Sequence, residues 1–175
     1  MKRLLSLLVL LLVVSACEQK TKSFHGFGGL DIGADFKSLP NAKDFTQIME
    51  DEYNIARYKL SDEIGVVSNL NISTENGKIS EVRFVSTDET HTATIEKVTQ
   101  QLVRINTKTP IKLDFIDFYN SADKKIFFVR EKGQGLKSGN AGNQTKYSYF
   151  DEKAIIRNGD IIQRNIGMKP ASAQK

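Results

Sequence analysis

Residues 64–86, "IGVVSNLNISTENGKISEVRFVS", constrain this chain more than any other stretch. Two runs rich in Val, Ile and Phe alternate apolar with polar residues on either side of Asn76-Gly77. A period of two places every second side chain on one face of a sheet, and Asn-Gly between such runs marks a hairpin. The fold must therefore contain an antiparallel sheet with one buried face. The loop length can be argued from register. A two-residue Asn76-Gly77 loop in a regular ladder sets Ile72 against Glu81 and Leu70 against Arg83. A three-residue loop, Glu75-Asn76-Gly77 with Gly77 left-handed, sets Leu70 against Val82 and Ser68 against Phe84. It gathers Val66, Leu70, Ile72, Val82 and Phe84 on one face. The buried face selects register, so the expectation is the three-residue loop.

The flanking sequence adds strands and one long helix. Leu30 and Ile32 alternate with polar or small residues, a short strand, and "ADFKSL" reads as a helical turn stopped by Pro40. Residues 54–60 read as a strand, while 44–50 fit neither period. In "TATIEKVTQQLVRINTKTP", Ile95, Val98, Leu102 and Ile105 form one helical stripe. Thr92 can cap its start and Pro110 its end, so a helix is expected from about 92 to 107. "IKLDFIDFY" and "KKIFFVRE" read as strands joined by "NSAD". The glycine-rich segment 132–146 reads as a long surface loop, with Gly133, Gly135, Lys137, Asn140 and Asn143 as candidate partner-binding residues. "YSYF" and "KAIIRNGDIIQRN" read as strands, the latter a hairpin about Asn158-Gly159. Hairpins without β-α-β alternation predict an α+β class. The long helix and the short N-terminal one should pack on one face of an antiparallel sheet.

The N-terminus carries a second strong signal. Met1-Lys2-Arg3 is basic, residues 4–14 are apolar but for Ser6, and Ser15-Ala16 are small. This is the make-up of a secretory signal peptide. The apolar run falls short of the roughly 20 residues a spanning helix needs. Cys17, the only cysteine, follows at once. "VSAC", residues 14–17, resembles the lipobox of bacterial lipoproteins. The resemblance implies that the Cys17 thiol takes a diacylglyceryl group, that residues 1–16 are cleaved off and that Cys17 becomes the acylated first residue. Two or three chains would anchor stably where one binds only marginally. Glu18, in place of an aspartate after the cysteine, implies the outer membrane, with the domain facing the periplasm. The mature chain then divides into an anchor and tether at 17–23, one domain at 24–167 and a tail at 168–175. The order of elements is similar in outline to small periplasmic lipoproteins of the β-barrel assembly machinery and to β-lactamase-inhibitor-protein-like folds. There "GGLDIGADFKSLP" corresponds to an opening strand, glycine and short helix, without the usual G-x-P.

Composition narrows the function. The net charge of +4 falls to about +2 once Lys2 and Arg3 leave with the signal, and the signs are interspersed. No basic block points to nucleic acid. With one cysteine no internal disulfide can form, so the domain must hold without covalent staples. His91 lies near Asp88 and Glu89, but acids before a helix more simply complement its dipole. "GQGLKSG" lacks the glycine that a phosphate loop needs before its lysine. Asp114 with Asp117, and Asp151 with Glu152, are the carboxylate pairs, and on a strand the first pair points to opposite faces. No motif calls for a metal or cofactor. The expectation is a non-catalytic, membrane-anchored module that binds an envelope protein partner, in assembly, maintenance, inhibition or immunity. The alternatives are an envelope hydrolase using acidic residues, and a ligand carrier with a cavity in the sheet.

Overall fold

The computed structural model describes residues 23–86, 89–100, 102–104, 116–132 and 144–157. A small ribbon of β1 (Gly26–Phe27) and β2 (Leu30–Asp31) precedes an eight-stranded antiparallel sheet. Its strands are β3 (Thr46–Met49), β4 (Glu52–Ser61), β5 (Gly65–Glu75), β6 (Lys78–Ser86), β7 (Val103–Arg104), β8 (Ile116–Asn120), β9 (Ile126–Lys132) and β10 (Thr145–Asp151). The order across the sheet is β3-β4-β5-β6-β10-β9-β8-β7. Two helices complete the described residues, α1 (Glu89–Thr99) and α2 (Glu152–Arg157). The order has a simple logic. One meander runs inward from the β3 edge, a second runs inward from the β7 edge, and their last strands, β6 and β10, meet antiparallel at the seam. Each meander is followed by a helix.

The N-terminal segment, not a helix, covers most of the core face. Phe27, Leu30, Phe36 and Phe45 are buried against Leu70, Ile72, Val82, Phe84, Phe128, Tyr147 and Tyr149 of the sheet. The Phe27 ring meets Phe84, Phe128 and Tyr149 edge-on at 5.6–6.1 Å, the arrangement favoured by ring quadrupoles. The buried Tyr149 hydroxyl accepts from the Phe27 N–H at 3.3 Å and donates to the Leu30 carbonyl at 2.8 Å. Gly28, at the turn of the ribbon, has φ +59°, and a Cβ there would lie 1.6 Å from the Leu60 carbonyl oxygen. Only glycine permits this approach.

The class is mostly β, which corrects the α+β expectation of helices layered on one face. The layer implied by the outline resemblance to assembly-machinery lipoproteins and β-lactamase-inhibitor-like folds is therefore missing. The expected helix over 92–107 is shorter and ends at Thr99. Its last carbonyls are taken early, since the Glu96 carbonyl accepts both the Gln100 N–H and the Thr99 hydroxyl, and the Leu102 N–H turns back to Thr99. Val103 and Arg104 then pair with Asn120 and Tyr119. Leucine and arginine favour helix and only Val103 is β-branched, so it is the pairing with β8, not local propensity, that sets this edge. Of the four stripe residues, Ile95 is buried on α1, Val98 is half-buried, Leu102 is buried beyond the helix, and Ile105 lies outside the described residues. The short N-terminal helix is two 3-10 turns, Phe36–Ser38 and Ala42–Asp44. The unassigned 44–50 stretch supplies β3.

The hairpin loop is also corrected. Glu75 pairs directly with Lys78, and Asn76 and Gly77 have φ 52° and 76°, a two-residue type I′ turn. The apolar face survives because the ladder is irregular. Thr74 pairs with Ile79 but Ser73 with Glu81, so Ser80 is an inserted residue, its hydroxyl donating to the Ser73 carbonyl at 3.1 Å. A second shift separates Asn71↔Arg83 from Ser68↔Val85, with Asn69 at φ 50°. These bulges restore Leu70, Ile72, Val82 and Phe84 to the core and substitute Val67 for Val66, which is 45 % exposed. Residues 153–157, expected as strand, are helical. Asp151 caps α2 by accepting the Ala154 N–H at 2.8 Å, and Glu152 sits in the first turn. The expected hairpin about Asn158-Gly159, like the tail, lies outside the described residues.

Candidate functional site

Opposite the core face, the sheet presents a groove of about 310 Å³ across β5, β6, β10 and β9. The alternation that buries Leu70, Phe84 and Tyr147 sends Asn71, Arg83, Ser148 and Lys146 the other way. Asn69, Asn71, Arg83, Val85, Glu131, Lys146 and Ser148 line the groove, together with atoms of the otherwise buried Phe84 and Tyr147. Register sets them in rows, with Asn71 beside Arg83 and Arg83 beside Ser148 in one, and Val85 beside Lys146 and Lys146 beside Glu131 in the next. The amides are tied together. Asn54 Nδ2 donates to Asn71 Oδ1 at 3.0 Å, and Asn71 Nδ2 donates to the Asn69 carbonyl at 3.0 Å. The bulge at Asn69 places that carbonyl.

The groove's cations have acidic neighbours, Glu131 in its lining and Glu81 and Glu52 outside it. Arg83 lies 3.5 Å from Glu81 and 4.0 Å from Glu52, and Lys146 lies 3.8 Å from Glu131. Such a surface, with amide, hydroxyl and paired ionic groups on rigid strands, can recognise a polar partner through directional hydrogen bonds. Below it the same face is apolar and covered. Phe127 and Phe150 stack at 6.2 Å, and Ala154 of α2 is fully buried. Lys153 of α2 reaches Glu75 at 3.6 Å.

A second polar cluster lies on the core side, between α1 and β7–β9. Arg130 pairs with Asp117 at 2.5 Å and with Glu96 of α1 at 2.8 Å, and Arg104 reaches Asp117 at 2.6 Å. Burial pushes the Asp117 carboxyl up, but Arg130 and then Arg104 outweigh it and hold it below the usual range. The Arg130 guanidinium also lies over the Tyr119 ring, 5.9 Å from its centre. This network clamps the short helix to the second meander.

The residues singled out in the sequence fall around these features. Cys17, Gly133, Gly135, Lys137, Asn140 and Asn143 lie outside the described residues. The ends of the loop are described, however. Lys132 pairs with Thr145, one residue from Glu131 and Lys146 of the groove. The candidate loop is thus rooted at the groove's rim. Of the carboxylate pairs, Asp117 is held by two arginines, Asp151 caps α2, and Asp114 lies outside the described residues. His25 is exposed, and His91 falls in the first turn of α1. The groove residues went unnoticed in the sequence. Their signal is the outward half of the alternation, Asn69, Asn71, Arg83 and Ser148, beside the inward half that marks the core. Among the described residues, no three His, Cys, Asp or Glu side chains gather as a metal site would require. Comparison with known protein families, with characterised proteins and with solved structures gives no match to this chain.

Proposed function

We propose that this chain is a bacterial lipoprotein, anchored through Cys17 in the outer membrane and facing the periplasm, whose domain binds an envelope protein without catalysing a reaction. The groove of Asn71, Arg83, Lys146, Glu131 and Ser148 is its recognition surface, extended by the 133–143 loop. One observation carries the reading. A groove built on four paired strands opens beside the roots of the glycine-rich loop. Loops set on a rigid scaffold are where binding concentrates. Envelope assembly, maintenance, inhibition and immunity are the roles such a module serves.

The test is photo-crosslinking in cells from a reactive residue at Ser148, in the groove, or at Ile48, on the far β3 edge. A discrete crosslinked protein from Ser148 and none from Ile48 is the expected result. Crosslinking from Ile48 alone would move the recognition surface to the free edge and refute the groove.

A further inference from the structure

The groove presents two kinds of surface at once. Val85 and atoms of the otherwise buried Phe84 and Tyr147 give it apolar lining, while Arg83, Lys146 and Ser148 bring hydrogen-bond donors to it. Register sets Arg83 beside Ser148 and Val85 beside Lys146, so the two cations stand diagonally across the β6–β10 seam. Their hydrogen-bonding capacity is not used up by their acids. Arg83 meets Glu81 at 3.5 Å and Glu52 at 4.0 Å, and Lys146 meets Glu131 at 3.8 Å. All three are longer than the roughly 2.7–3.2 Å of a direct N–H···O bond. Yet each cation has an acid close by, so a charged ligand of either sign would enter against one member of an ion pair. The complement of such a groove is an uncharged group with a flat apolar body and a tip that can accept a hydrogen bond.

We infer that the groove takes a tyrosine side chain of the partner protein as its anchor. The inference rests on the groove being the recognition surface proposed above. A tyrosine ring covers apolar lining, and its face attracts the Arg83 and Lys146 cations. Its hydroxyl accepts from Arg83, Ser148 or Lys146 and donates to Glu131 or to the Asn69 carbonyl. Phenylalanine lacks the polar tip, the tryptophan N–H only donates, and asparagine and glutamine lack the ring. Amphipathic aromatic anchors of this kind carry much of the binding energy of protein interfaces. The occupant does not come from a second copy of this chain. Of its five tyrosines, Tyr58, Tyr119, Tyr147 and Tyr149 are buried, and Tyr53 is stacked on Phe36 at 4.0 Å.

The test uses the mature chain in phosphatidylcholine nanodiscs, with the Val85 methyl groups followed by NMR. The probes are capped tripeptides with tyrosine, phenylalanine, aspartate or lysine between two glycines. The tyrosine peptide should shift the Val85 signals saturably and bind at least about tenfold more tightly than the phenylalanine peptide. Its affinity should hold between about 0.05 and 0.5 M salt, a range that screens exposed charges. Arg83→Lys, which keeps the charge and loses the planar fork, and Ser148→Ala should each weaken it by about tenfold. No saturable shift with the tyrosine peptide, tighter binding of the aspartate or lysine peptide, or an affinity that falls with salt would overturn the inference. Crosslinking from Ser148 separates it from the broader reading. A protein captured there while the tyrosine peptide fails rejects the anchor alone, and failure of both rejects the groove as well.

Discussion

Tyr149 shows how much of this fold hangs on single side chains. Its hydroxyl ties the N-terminal ribbon to the centre of the sheet, with partners at Phe27 and Leu30. Tyr149→Phe keeps the ring but leaves a buried N–H and a buried carbonyl without it. The expected cost is about 1–3 kcal/mol in urea unfolding. Gly28 should be less forgiving. Gly28→Ala drives a methyl into the Leu60 carbonyl and should prevent folding, whereas Gly29→Ala, with φ +83° and open space around it, should cost only about 1–2 kcal/mol. Equal circular dichroism melts for the two variants would contradict the close approach. The buried phenols also set an alkaline limit. Burial raises the Tyr147 hydroxyl to about 12 and the Tyr149 hydroxyl further. A folded pKa above the unfolded one means that the native state holds its proton more tightly. That stability is complete below the ordinary tyrosine value of about 10 and is lost as pH rises towards 12. Denaturant midpoints measured from pH 9 to 12 should fall steeply across that window, and less steeply for Tyr147→Phe.

At the scale of elements, the Arg130 cluster has the opposite pH sense. The Asp117 carboxyl sits below its usual range, so its contribution is present above about pH 4 and lost in more acid solution. Arg130→Leu removes the partner that Asp117 and Glu96 share. It should destabilise by about 3 kcal/mol at pH 7, and the penalty should shrink as Asp117 is protonated. A penalty independent of pH would mean that packing, not charge, makes the clamp. Elements were legible in the sequence where one period runs unbroken. The strand at 54–60, the two runs flanking Asn76-Gly77, "KKIFFVRE" and "YSYF" all stand where alternation placed them. Boundaries that depend on distant pairing were not legible. A regular ladder demanded a three-residue loop. The chain instead kept the type I′ turn that Asn-Gly favours and corrected the face with Ser80 and Asn69. The stripe at 95–105 looks continuous, yet Val103 and Arg104 gain more from the β8 edge than from another helical turn. Asp151-Glu152 looks like a carboxylate pair in the sequence but is a helix start, with Asp151 accepting the Ala154 N–H.

For the molecule as a whole, the two faces of the sheet differ, and the proposed recognition surface is on the one away from the core. One face is filled by aromatic side chains under the N-terminal segment, and the other carries a groove whose polar side chains stand on a largely apolar lining. The groove could be found only after folding, because Asn71, Arg83, Ser148 and Glu131 come from four strands in two meanders. In the proposed reading the N-terminal sequence adds an address, through the "VSAC" box that ends in Cys17. Cys17→Ser should leave unprocessed precursor, or protein that no longer partitions with detergent-extracted membrane. The measurement that tests the account most directly is the intact mass of the mature protein isolated from its own membrane. The account predicts a chain that starts at Cys17 and carries a diacylglyceryl group and an amide-linked acyl chain. A mature chain with an unmodified Cys17, or one cleaved elsewhere and free in the periplasm, would contradict it.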